Sequence, residues 1–221
     1  MVSDPIDPAE FIATVQPVLE AQDPAALLVL LKSRWRREQI QSLLSSDNCD
    51  ARKVAALALA LVGTKCCVNS LAAQLQHPDP MVNQMAEHAL WSIWFRSGSS
   101  CDANHELCRG TQALNRQQYE QAIQNFSHAI ELDPTFAEAY NQRAIVKYLQ
   151  ERYDECLEDC RRAVDRMPCH FGAWAGMGHC HAHEGRFADA LDCYRKALAI
   201  NPHLSGIPQV IRELKKKLRE D

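Results

Sequence analysis

Tyr119-Glu-Gln-Ala-Ile-Gln-Asn-Phe-Ser-His-Ala-Ile-Glu-Leu-Asp-Pro134 recurs in altered form as Tyr153-Asp-Glu-Cys-Leu-Glu-Asp-Cys-Arg-Arg-Ala-Val-Asp-Arg-Met-Pro168. It recurs again as Phe187-Ala-Asp-Ala-Leu-Asp-Cys-Tyr-Arg-Lys-Ala-Leu-Ala-Ile-Asn-Pro202. The step is 34 residues both times, without a gap. A fixed step of this size marks one supersecondary unit stacked on itself. Ala122, Phe126 and Ala129 share one face of a helix, as do Cys156, Cys160 and Ala163, and Ala190, Tyr194 and Ala197. Proline closes each copy because it lacks the N–H and crowds the preceding turn. Upstream, Gly110, Ala144 and Gly178 keep the step, as do Tyr140 and Trp174; Glu106 takes that place in the first copy. Small residues facing bulky ones suit two antiparallel helices in close contact. The spacing predicts first helices over 103–116, 137–149 and 171–184, and second helices over 119–132, 153–166 and 187–200.

This pattern resembles the tetratricopeptide repeat, over residues 103–202. The resemblance implies repeats at about 103–136, 137–170 and 171–204, each a helix pair, with Tyr119, Tyr153 and Phe187 filling the wedge between pairs. After them Ile207, Val210, Ile211, Leu214 and Leu218 trace one stripe on a further helix, a cap over 206–219 that closes the last open face. Its other side carries Arg212, Lys215, Lys216, Lys217 and Arg219.

The first 98 residues lack the 34-residue step. There Arg52-x2-Ala55-Ala56-x-Ala58-Leu59-x2-Val62 returns 31 residues later as Asn83-x2-Ala86-Glu87-x-Ala89-Leu90-x2-Ile93. Asp47 and Asp50 flank the start of the first copy and Asp79-Pro80 precedes the second, a helix-start signal. A fainter third copy starts at Asp23-Pro24. This half resembles the short bacterial HEAT repeats related to those of phycobilisome lyases. The expectation is an all-α chain of about 13 helices, six in the first half: a HEAT-like domain at 1–98, a joint at 96–102, and a tetratricopeptide domain at 99–221. The two are expected to continue as one α-solenoid superhelix.

Composition narrows the function. Apolar residues make 47% and charged residues 24% of the 221, with a net charge of −4, so neither nucleic acid nor an acidic membrane is expected as partner. No apolar run is long enough to span a bilayer, and the acidic, proline-bearing start, residues 1–10, does not fit a signal peptide. A cytoplasmic location is therefore expected. Its ten cysteines, with no CxxC pair, are then expected to be reduced and mostly buried as small apolar residues. No phosphate loop, dinucleotide fingerprint or nucleophile elbow is present. No catalytic residue and no cofactor are expected. His179 and His183 share a helix face, but two ligands do not make a zinc site, so no metal is expected either. Cys66-Cys67 stand near a helix start without an orienting His or a second motif, so no redox role is expected, and Lys32, Arg34, Arg36 and Arg37 around Trp35 read as a solvated helix end.

The resemblance implies a concave groove lined by the first helices. The candidate partner-binding residues are Asn104, Thr111, Asn115, Glu138, Asn141, Gln142, Ile145, Tyr148, His179 and His183, with Leu107, Cys108 and Ala175 beside them. Tetratricopeptide domains that clamp the acidic carboxyl tail of chaperones use Lys and Asn at set positions; here those positions hold Leu107, Thr111, Gln142, Gly172 and Gly176. The expected partner is a peptide or protein of little net charge, its main chain bonded by Asn141 and Gln142. The histidines should make binding depend on pH between about 5.5 and 7.5. A non-catalytic adaptor is the leading expectation. The alternative, from the HEAT resemblance alone, is a lyase-like or enzyme-accessory protein.

Overall fold

The computed structural model describes residues 5–220, so residues 1–4 of the acidic start lie outside it. The described residues are 79% helical, and no strand occurs among them. It divides into two compact units, one up to Trp94 and one from Phe95. The division falls a few residues before the expected joint, because residues 98–100 are tied forward. Gly98 N–H donates to Asn104 Oδ1 (3.0 Å) and Ser99 N–H to Asp133 Oδ2 (2.8 Å).

The first unit holds α1 (Pro8–Glu20), α2 (Pro24–Arg34), α3 (Arg37–Ser42), α4 (Cys49–Val62), α5 (Val68–Gln74) and most of α6 (Pro80–Phe95), with 3₁₀ turns at Leu43–Ser45 and Lys65–Cys67. Asp7, Asp23 and Asn48 cap α1, α2 and α4, each side chain accepting two backbone N–H groups that the first turn leaves open. Asn48, not Asp47 or Asp50, is the cap of α4. The two similar copies lie on α4 and α6, where Ala55, Ala56, Ala58 and Leu59, then Ala86, Ala89, Leu90 and Ile93, are buried. The basic run does not form an open stripe: Arg34 pairs with Glu10 at 3.0 Å, and Arg37 donates to Thr64.

The second unit is three helix pairs and a last helix: α7 (Cys101–Asn115) with α8 (Tyr119–Leu132), α9 (Ala137–Leu149) with α10 (Tyr153–Arg166), α11 (Phe171–His183) with α12 (Phe187–Ile200), then α13 (Ile207–Glu220). These bounds match the predicted ones to within two residues. The three turns between paired helices are alike. Residues 117, 151 and 185 hold φ of 59°, 59° and 75°, and the next N–H reaches back to Ala113 O, Lys147 O and His181 O. Only the third of them is glycine. A side chain in this region costs about 1–2 kcal/mol. Glu151→Gly should therefore raise stability by about 0.5–1 kcal/mol net of glycine's extra chain entropy, read as a higher denaturant midpoint.

Close approach within a pair is size-matched. A Cβ on Gly110 would meet the Phe126 ring at 2.4 Å, and one on Gly178 the Tyr194 ring at 2.6 Å. The middle repeat has the smaller Cys160 in that register and Ala144 in place of glycine. Asp159 on α10, almost fully buried, accepts from Arg143 (2.7 and 2.8 Å) and Lys147 (2.7 Å) on α9, and Arg143 also donates to Ser127 on α8 (2.9 Å).

α13 buries Ile207 and Leu214 against Ala190, Leu191 and Tyr194, with Val210 and Ile211 half-buried. Leu218, expected in the stripe, is 43% exposed. Cysteine burial also differs from expectation: five thiols are buried, Cys169 is intermediate, and Cys49, Cys66, Cys101 and Cys108 are exposed.

Candidate peptide-binding groove

The ten expected residues fall into two groups. Glu138, Asn141 and Gln142 on α9 are buried, the first completely. Glu138 accepts from Gln142 Nε2 (2.6 Å) and Asn141 Nδ2 (3.3 Å), and lies 2.7 Å from His170 Nε2. His170 caps α11, its Nδ1 accepting from Ala173 N–H at 3.1 Å. That bond puts the imidazole proton on Nε2, which donates to Glu138. The amide nitrogens thus donate to Glu138 one turn back on their own helix, and the Glu138–His170 bond is the one that joins the second and third repeats. Asn141 and Gln142 are only 3% and 7% exposed, so both take part in the packing of the fold. Asn104 is likewise occupied, holding Gly98 on both sides. Thr111 bonds back to Leu107 O at 2.9 Å, and Asn115 is exposed at the end of α7.

The second group is brought together. Tyr148 on α9 lies against His183 and His179 on α11, with ring centroids 5.4 and 6.1 Å away. Two residues read from sequence only as packing groups complete the cluster. Tyr153, first in α10, is 5.7 Å from Tyr148 and stacks on His183 at 5.1 Å, its hydroxyl 3.3 Å from His183 Nδ1. Tyr194 OH shares a 2.8 Å hydrogen bond with His179 Nδ1. Ile145 (39% exposed) and Leu149 (49%) extend the stripe along α9 beside Tyr148. The result is an aromatic and imidazole surface with apolar neighbours and no fixed charge in the cluster. No group of three or more His, Cys, Asp or Glu placed to hold a metal occurs among the described residues.

Burial, reinforced by the neighbouring His183, lowers the His179 pKa below the usual 6.5, and burial lowers that of His181 as well. Protonation is harder in the fold than in the unfolded chain. Between the lowered value and about 6.5 the unfolded chain binds more protons, so stability rises with pH through that window and is lost as pH falls. The His179 response therefore lies on the acid side of the ordinary imidazole value. Denaturant midpoints at pH 7 and pH 5 should fall more steeply for the parent than for His179→Gln.

Residues 114–159 match the TPR repeat model and residues 172–204 the tetratricopeptide repeat model. The second unit thus carries tetratricopeptide repeats, where the 34-residue step placed them. Among curated proteins, sperm-associated antigen 1 of Rattus norvegicus is 29% identical over 117 residues, which is 53% of this chain and 13% of that protein. Small glutamine-rich tetratricopeptide repeat-containing protein 2 of Saccharomyces cerevisiae is 30% identical over 92 residues, 42% of this chain and 27% of that protein. The chain spans well under a third of either relative. Among solved structures, the first TPR of Spaghetti (RPAP3) bound to HSP90 peptide SRMEEVD shares the fold with a TM-score of 0.54 at 18% identity, over 55% of this chain and 96% of that one. The Sgt2 TPR domain from Aspergillus fumigatus does so at 0.52 and 19%, over 55% and 82%. No helix among the described residues is long and apolar enough to cross a membrane.

Proposed function

We propose that the protein is a non-catalytic cytoplasmic adaptor that holds a peptide segment of low net charge on α9 and α11. The cluster of Tyr148, Tyr153, His179 and His183 is its anchor point. The observation that carries this reading is the joining of four rings, from two successive repeats, to an exposed Ile145 and Leu149. Aromatic side chains supply large contact area at low entropic cost, which suits a binding surface. The unit up to Trp94 serves in this reading as a HEAT-like scaffold, supported by the similar copies on α4 and α6.

The structural neighbour above binds a peptide ending in Glu-Glu-Val-Asp. In this chain the positions that the resemblance assigns to an acidic-tail clamp hold no cation; Leu107 and Gln142 are moreover buried. Peptide SRMEEVD titrated into the full chain should give no saturable binding up to about 1 mM, roughly −4 kcal/mol. Micromolar binding would show that the acidic tail is a ligand after all and that the low-charge reading is wrong.

A further inference from the structure

Cys66 lies in the first unit and is not among the proposed groove residues. It sits in the 3₁₀ turn that leads into α5, exposed, next to the buried Cys67. Arg37 on α3, 29 residues earlier, reaches it: Arg37 Nη1 donates to Thr64 Oγ1 at 2.8 Å and to Cys66 Sγ at 3.5 Å. Thr64 Oγ1 is itself 3.1 Å from Cys66 Sγ. Since that oxygen already accepts from the guanidinium, its own hydrogen is available to the sulfur. The neighbouring thiol is fixed the other way. Gln41 donates Nε2 to Ser70 Oγ (2.8 Å), which turns Oε1 toward Cys67, and Cys67 Sγ donates to it at 3.5 Å. Cys66 therefore receives hydrogen bonds from a cation and a hydroxyl, and the only other thiol near it, 3.9 Å away, has its proton committed elsewhere. Hydrogen bonds and positive charge both favour the ionised sulfur, and the Cys66 pKa is lowered by Thr64 first and then by Arg37, while burial raises that of Cys67.

We propose that Cys66 is a modification site: an exposed cysteine that exchanges with small disulfides to form a reversible mixed disulfide, with Arg37 and Thr64 as positioning residues. In the step, the Cys66 thiolate attacks one sulfur of R–S–S–R. The new Cys66–S–S–R bond forms, the old S–S bond breaks, and R–S⁻ leaves to be protonated by solvent. The small disulfide is the oxidant, and excess small thiol runs the step backward.

Cys49, Cys101 and Cys108 are exposed in the same chain and serve as internal references. The full chain is treated briefly with oxidised glutathione at pH 6.5 and at pH 9.5, and each cysteine is scored by peptide mass mapping. At pH 6.5 Cys66 should react about 3-fold or more faster than the references. A lowered pKa gives more thiolate at this pH, and only part of that gain is given back in nucleophilicity. At pH 9.5, where ordinary thiols are largely ionised, this lead should vanish. Arg37→Gln and Thr64→Val should each raise the pH midpoint of the Cys66 rate and leave the references unchanged. Equal rates at pH 6.5 would overturn the proposal, as would a lead that persists undiminished at pH 9.5, since accessibility alone would then explain it. A midpoint unmoved in both folded variants would overturn the roles of Arg37 and Thr64.

Discussion

Removing residues 206–221 should lower the thermal midpoint of the second unit by about 10 °C and make the protein scatter light. α13 covers the apolar face of the third repeat, where Ala190, Leu191, Tyr194 and Phe187 would otherwise meet water. Two fully buried aliphatic side chains are worth about 1.5–3 kcal/mol each, and the half-buried Val210 and Ile211 about half of that, so the gross loss is roughly 5–9 kcal/mol. The freed segment regains backbone and side-chain entropy, which offsets much of it. A net of about 3 kcal/mol gives the stated midpoint shift in a unit of this size. Circular dichroism melting with parallel light scattering reads both effects. An unchanged midpoint in a soluble truncated chain would mean that α13 does not act as a cap.

Asp159→Ala should be at least as damaging, at about 3–5 kcal/mol, because removing one partner of a buried ion pair takes the paired carboxylate from Arg143 and leaves Lys147 only the more distant, half-exposed Glu155. Arg143 and Lys147 keep only 15% and 11% of their side-chain surface exposed and would lose their shared counter-charge together. That loss is a large share of the roughly 5–15 kcal/mol that holds a whole domain. Asp192→Ala is the control. Its partner Lys196 and Asp192 itself are about half exposed, so the change should cost about 0.5 kcal/mol or less. Urea midpoints for the two variants should separate clearly; similar midpoints would show that the triad contributes little.

The helices were legible because a strict 34-residue step repeats every packing residue in register. Small residues, aromatics and closing prolines then mark both helices of each pair. The turn strain at Gln117 and Glu151 was legible only through Gly185, which stands at the same step. That Tyr148, His179 and His183 share a surface could be read from the repeat register; the burial of the α9 amides could not. A helical wheel assigns Glu138, Asn141 and Gln142 to the inward side of α9, but it cannot show that His170, the cap of the next first helix, covers them. Tyr153 fits the repeat pattern so well that its contact with His183, one residue row across, stays hidden; Tyr194 likewise reads as core. Both belong to repeat positions whose packing role is clear, and a packing role does not exclude an exposed edge. The Cys66 site depends on Arg37, 29 residues away, with no periodic relation to announce it.

The groove proposal is tested most directly by selecting binders from a random peptide library on the full chain. A selected peptide is then titrated against the parent and against Tyr148→Ala combined with His183→Ala. Neither residue is deeply buried, so the variant should keep the parent's circular dichroism spectrum and melting midpoint. If the ring cluster anchors the peptide, selected sequences carry little net charge and the double variant loses about 10-fold or more in affinity, roughly 1.4 kcal/mol or more. Selected peptides that bind parent and variant equally would place the partner surface elsewhere and contradict the groove.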